Sequence, residues 1–267
     1  MRTADADLAI LMATSFEAAL TAWLAGIPVR VGHDTDHRRV LLNKAVEVVD
    51  GHRSDGFLDL VPASGAQSSS ISSMLRCTES DRQFAEKFFY DAGVRPGVRP
   101  VFVNPAAAKT PRAWSADRFL RLVREIGRRH EDLPVLVHDR YPFEGPPGWL
   151  PSRSVHTLAD ASLVELAAVI ERCSLYVGND SGPMHIAAAL GVPTVGIYGP
   201  SNPNRTAPRG ADGITHIAVS AGFSCSPCRE QFFKECPSSP SSDSRPPCLN
   251  EVSVDQVAVA VDRVLQS

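Results

Sequence analysis

Asp180, Ser181, Gly182 and His185 fall within six residues of one another, in the stretch YVGNDSGPMHIAAALGVPTVGIYGP (176–200). An apolar run stops there at Gly-Asn-Asp-Ser-Gly-Pro, and an alanine-rich helical pattern follows. The first amides of a helix have no partner inside it and carry its positive dipole end, so they suit a phosphate. Gly182 lets a ligand come close to the backbone, and Pro183 fits a first helical turn. Ser181 offers a hydroxyl, and His185, still in the first turn, can donate to a phosphate oxygen. Asp180 would repel that phosphate, so its better use is to accept hydrogen bonds from a sugar hydroxyl. A nucleotide-sugar diphosphate matches the four together. Taken singly, each has a plainer use: Asp180 and Ser181 as helix caps, His185 as a packed side chain.

Such a cluster needs a strand before it and a helix behind it. A strand ending at Val177 and a helix from Pro183 place residues 178–182 at the carboxyl edge of a parallel sheet, where open α/β sheets bind ligands. The neighbouring sequence supplies the rest of that sheet. VFVN (101–104), VLVH (135–138), TVGIYG (194–199) and THIAV (215–219) read as strands. Phe119, Leu122, Val123 and Ile126 form one helical face behind the cap Ser115. Ser162 and Glu165 make a capping box ahead of Leu166, Val169 and Ile170. A final helix over 253–266 puts Val254, Val257, Val261 and Val264 on one side.

Upstream, LAILM (8–12) and VRVG (29–32) read as strands around a helix with Phe16, Ala19, Leu20, Trp23 and Leu24 on its face. Ser15 caps that helix and Gly26 ends it. A Ser-rich stretch covers 64–73, and SDRQFAEKFFYDAG is a helix opened by a Ser-x-x-Gln box and closed at Gly93. VRPGVRP (94–100) reads as a linker. The expectation is an α/β chain with two parallel-sheet domains, residues 1–95 and 96–250, followed by a C-terminal helix in 251–267.

The bulk numbers fit this and exclude other classes. The 267 residues are 43% hydrophobic and 21% charged, with a formal net charge of −3 and a pI near 6.2. That balance gives no global attraction to nucleic acid. Apolar runs fall short of the ~20 residues of a membrane span, and the acidic start does not read as a secretory signal. Six cysteines without an export signal point to reduced thiols and a cytoplasmic location. No Gly-x-Gly-x-x-Gly follows a strand, which disfavours a dinucleotide oxidoreductase. Cys225, Cys228, Cys236 and Cys248 could in principle hold a structural zinc. Their irregular spacing favours packed or free thiols instead, so no metal is expected. Cys77 and Cys173 read as isolated core thiols.

At these residues the chain resembles a known family. GNDSGPMHIAAALGVPTVGIYGPSNPNRTAP looks like the signature block of the ADP-heptose:lipopolysaccharide heptosyltransferases, glycosyltransferase family 9, closest to the heptosyltransferase II type. VNPAAAKTPRAWSADRF (103–119), the CSPC tail and DLAILMATSFEAALTAWLAGIPVRVG extend the likeness over nearly the whole chain. The resemblance implies a GT-B fold of two Rossmann-like domains and inverting heptose transfer from ADP-heptose to the lipopolysaccharide inner core, without a cofactor. By position it implies that Asp180 contacts the heptose, Ser181 and Gly182 present amides to the diphosphate, and His185 assists there. Arg112, with Lys109 as helper, takes the basic phosphate-binding position, because departing ADP gains negative charge. Ala107 and Ala108 fall beside the phosphates, Ala161 at the adenine pocket, and Glu144 is the nearest candidate for a ribose-binding acid.

The likeness fails at the start. Members of the family begin with a strand and a Ser-x-Gly-Asp loop whose Asp is the proposed base, and no such segment stands here. The expectation is therefore a first domain lacking its N-terminal part, with the catalytic residue unassigned: a misassigned start, a fragment, or a degenerate copy that binds without turnover. HDTDHRR (33–39) offers His33, Asp34 and Asp36 as substitute bases, while Arg30 before it and His37, Arg38 and Arg39 within it suit an anionic acceptor. Expected partners are ADP-heptose or a related nucleotide sugar and a lipopolysaccharide core, with peripheral inner-membrane association compatible with that acceptor. Two alternatives stand beside this: a family-9 transferase for another nucleotide sugar, and a non-catalytic nucleotide-sugar-binding remnant.

Overall fold

The computed structural model describes residues 6–67, 75–108, 110–139, 155–210, 213–226, 228, 236 and 245–267. The chain divides into two compact units, one of residues 1–71 with 204–206, the other of 72–203 with 207–267.

The first unit is a three-stranded parallel sheet, β1 (Leu8–Leu11), β2 (Val29–His33) and β3 (Lys44–Val46), in that spatial order. Helix α1 (Phe16–Leu24) starts at Ser15, whose hydroxyl accepts from the Ala18 amide, and Gly26 ends it with φ +76°. Helix α2 (Arg53–Ser64) follows β3. Neither β3 nor α2 is legible in the sequence. The strand is three residues long, and the helix holds Gly56 and Pro62, both poor helix formers. Its core is small, with Ala19, Val31 and Leu60 fully buried.

The second unit opens with helix α3 (Glu79–Asp91). Strand β4 (Val101–Asn104) leads to helix α4 (Ala116–Arg129), strands β5 (Val135–Asp139) and β6 (Val155–Ala159), and helix α5 (Leu163–Glu171). Strand β7 (Leu175–Asn179), helix α6 (Gly182–Ala189), strands β8 (Thr194–Ile197) and β9 (His216–Val219), and helices α7 (Pro247–Asn250) and α8 (Val254–Leu265) complete it. All six strands are parallel, in the order β6-β5-β4-β7-β8-β9.

Because side chains alternate along a strand, each strand feeds two cores. Val101, Val103, Val135, Val137, Leu175 and Val177 pack with the faces of α4 and α8. Phe102, Leu136 and Tyr176 pack on the other side with α3, α5 and α6. On α4 the four expected residues, Phe119, Leu122, Val123 and Ile126, are each at most 1% exposed. Each contributes roughly 1.5–3 kcal/mol by burial.

Helix α3 differs from the expectation in two ways. Its capping box is Thr78 with Asp81, two residues before the Ser80–Gln83 pair. It also packs against α5 in the second unit, although the sequence places it in residues 1–95. Phe89 and Ala85 share a core with Leu166 and Ile170, and Arg82 makes a two-pronged pair with Glu171 at 3.0 and 3.1 Å. The 94–100 stretch thus lies inside this unit, tied down by Arg99, which donates to the Cys173 carbonyl at 2.8 Å. Strand β6 and the short helix α7 are also unanticipated in this unit, while β7 covers the LYVGN run.

Candidate functional site

The strand order of the larger sheet reverses between β4 and β7, and crevices outside the carboxyl ends at such a reversal bind ligands. Each of these strands ends in a fully buried asparagine. Asn104 donates to the Tyr176 hydroxyl at 2.8 Å and accepts from the Ala106 amide at 3.1 Å, with His138 Nδ1 3.2 Å from its oxygen. Asn179 accepts from the Trp114 amide at 2.9 Å and donates to the Pro105 carbonyl at 2.8 Å. One amide side chain therefore holds both ends of the Pro105–Trp114 segment. Trp114 is 2% exposed, stacks edge-on against Phe119 and donates from Nε1 to the Val252 carbonyl at 3.0 Å.

This segment carries Arg112 to Asp180. The guanidinium Nη1 lies 3.7 Å from Asp180 Oδ2, with the Asp180 side chain 7% exposed and that of Arg112 33%. At that distance the pair is an ion pair and not a direct hydrogen bond. A carboxylate that alone would repel a phosphate is here set against a cation. The Asp180 amide is fixed to the Ile197 carbonyl at 3.3 Å, so the turn is anchored to β8 as well.

Helix α6 begins on this turn. Ser181 occupies the cap position, yet its side chain makes no capping bond. Its hydroxyl is buried, without a partner of good geometry among the described residues. The plainer capping role therefore does not explain Ser181. Gly182 is exposed, and a Cβ built on it meets no atom within 4 Å, so nothing in the protein's own packing requires glycine there. Gly178 is the contrast: its Cβ would stand 2.9 Å from the Asn104 carbonyl oxygen and from the Tyr176 hydroxyl. His185 is exposed on the first turn. Burial raises the Tyr176 phenol, and burial with the Asp180 charge raises that of Tyr198, so both stay neutral.

The second unit thus brings Arg112, Asp180, Ser181 and Gly182 together at the reversal, with His185 on the helix that starts there. Ala161 stands at the carboxyl end of β6, and Ala107 and Ala108 lie in the segment after β4. Lys109 and Glu144 lie outside the described residues. Asn104, Asn179 and Trp114 are absent from the sequence reading. The available signal was an asparagine closing each of two apolar runs, VFVN and LYVGN.

The basic loop of the first unit is corrected. Arg38 is fully buried, donating to the carbonyls of His33 (3.0 Å), Ser15 (3.2 Å) and Ala13. Arg30 donates to the Leu41 carbonyl at 2.7 Å and to that of Ile27. Both cations thus serve the backbone and do not face an acceptor; His37 and Arg39 are the exposed members. Among the substitute bases, Asp36 accepts from the Phe16 amide at the start of α1, Asp34 pairs with Arg39 at 2.5 Å, and His33 is 5% exposed.

Among the described residues, Cys225, Cys228, Cys236 and Cys248 form no disulfide. Burial, and then the other three cysteines, push Cys248 up to about 11. Among the described residues no three such side chains are arranged to hold a metal ion. Also among them, no helix is long and apolar enough to cross a membrane.

The family model of glycosyltransferase family 9 (heptosyltransferase) matches residues 1–237. Lipopolysaccharide heptosyltransferase 2 of Escherichia coli K12 is 26% identical over 229 residues, 76% of this chain and 62% of that protein. Lipopolysaccharide heptosyltransferase 1 of Pseudomonas aeruginosa is 32% identical over 113 residues, 39% of this chain and 30% of the relative. This chain thus spans less than two thirds of either relative. Among solved structures, that of E. coli ADP-heptose lps heptosyltransferase II superposes with a TM-score of 0.70 at 20% identity, over 97% of this chain and 76% of that one. The expected α/β fold of GT-B type is the fold observed.

Proposed function

Because the chain belongs to glycosyltransferase family 9, the heptosyltransferases, we propose that it moves heptose from ADP-heptose to the lipopolysaccharide inner core. The observation that carries this is the meeting of Arg112, Asp180 and the start of α6 at the strand-order reversal. In this reading the helix start and Arg112 receive the diphosphate, with His185 and Lys109 assisting, and Asp180 accepts hydrogen bonds from sugar hydroxyls. The acceptor hydroxyl attacks the anomeric carbon and gives up its proton to solvent, the bond from that carbon to the phosphate oxygen breaks, and configuration inverts. ADP leaves with the bonding pair, and its growing charge is met by the same amides and guanidinium. A lipopolysaccharide acceptor and a nucleotide-sugar donor place the protein in the cytoplasm, peripheral to the inner membrane.

Calorimetric titration with ADP and ADP-heptose, for the natural chain and D180A, tests the site. ADP-heptose is expected to bind the natural chain more tightly than ADP. D180A should keep ADP within about threefold while losing about tenfold of the sugar's contribution, as for a charged hydrogen bond. Binding of neither ligand overturns the reading. A preference for another nucleotide sugar identifies a different family-9 donor, and tight binding without transfer to a heptose-deficient core identifies a binding protein.

A further inference from the structure

We propose that Asn179 is a positioning residue that sets the diphosphate affinity of this site by holding Arg112 in place. The inference rests on the proposed nucleotide-sugar reading. The side chain is fully buried at the end of β7, next in sequence to Asp180. Its oxygen takes the Trp114 amide at 2.9 Å and its nitrogen gives to the Pro105 carbonyl at 2.8 Å. Those two bonds tie both ends of a segment that leaves β4 to the last residue of β7, while Arg245, donating to the Ala113 carbonyl at 2.9 Å, and the Trp114 indole hold it from other sides. Arg112 sits two residues from one of them.

The pairing of Arg112 with Asp180 at 3.7 Å is therefore set from the β7 side, by the residue preceding its carboxylate partner. A long, flexible arginine gives good phosphate geometry only where its backbone is fixed. Asn104 fixes the start of the segment, through the Ala106 amide, but does not reach the Arg112 end. Asn179 does both. An amide is the side chain this requires, since it must accept and donate at once, uncharged, beside Asp180.

A double-mutant cycle on ADP affinity decides the matter. R112A and N179A are each expected to weaken ADP binding by about tenfold or more. The double variant should be no more than about twofold weaker than R112A alone, because Asn179 acts through Arg112. Full natural affinity in N179A, or losses that multiply in the double variant, would overturn the proposal while leaving the site reading intact. Failure of the natural chain to bind ADP would instead remove the reading on which it rests. Should N179A not fold, N179D keeps an acceptor for the Trp114 amide and loses the donor to Pro105. Hydrogen exchange should then quicken at Ala106–Ala108 while the Trp114 amide stays protected, and unchanged exchange at both would refute the clamp.

Discussion

Gly182→Ala separates the ligand's need from the protein's. The Cβ it adds meets nothing within 4 Å, and the φ of Gly182 is outside the left-handed region. Alanine there costs no packing and, at the start of a helix, stabilises by at most about 1 kcal/mol. For a unit of this size that is a rise of about 2–4 °C in melting temperature. The methyl group stands in the space a phosphate must enter to reach the amides of the first turn. Losing one charge-assisted backbone hydrogen bond costs about 1.5–3 kcal/mol, or roughly 10- to 100-fold in ADP affinity. Calorimetric titration with ADP and a scanning melt measure both quantities on the same preparation. Gly127→Ala is the control, since it sits within α4 with equally open surroundings, and should stabilise without touching ADP affinity. An unchanged ADP affinity in G182A, or a fall in its melting temperature, refutes the reasoning.

Two further outcomes test the framework around the site. Arg38→Met removes a buried donor shared by the carbonyls of Ala13, Ser15 and His33 and should cost about 1–3 kcal/mol for a carbonyl left unsatisfied; hydrogen exchange is expected to speed across residues 6–67 and hold steady in 100–139, and equal protection in the natural chain and R38M would count against it. Burial disfavours the Asp262 carboxylate, yet hydrogen bonds with His130 (2.8 Å) and Arg129 (2.6 Å) outweigh it and depress its pKa. A carboxyl lowered in the folded state lends stability that is present above its unfolded value of about 4 and lost as pH falls through the folded one. Melts between pH 2 and 7 should therefore show D262N less acid-sensitive than the natural chain by on the order of 1 kcal/mol, after allowing for solvent screening, and parallel curves would exclude that role.

The sequence made the second sheet legible where composition and period agreed. The α4 stripe from Phe119 to Ile126 and the Ser162–Glu165 box were readable because each is decided by neighbours within a turn. What escaped was decided over distance. The apolar face of α3 announces burial but not a partner, and only packing of Phe89 against α5 allots it to the second unit. In α2, Gly56 and Pro62 argue locally against a helix that contacts with β2 and β3 override. The cations of 33–39 read as facing an anionic acceptor, whereas Arg38 is spent on carbonyls up to 25 residues away. At the site, the residue types that meet a ligand showed in GNDSGPMH. The asparagines that shape the crevice did not, because an amide's two hydrogen bonds leave no periodic trace.

The Trp114 indole has one further consequence. Its donor reaches the carbonyl of Val252, 138 positions onward, where Arg118 also bonds at 2.6 Å. The floor beneath Arg112 is thus finished by a residue translated well over a hundred positions after it. A nascent chain stopped before that point would display every residue of the signature and still lack the hollow it builds. Occupancy by nucleotide would then report that synthesis has passed Val252.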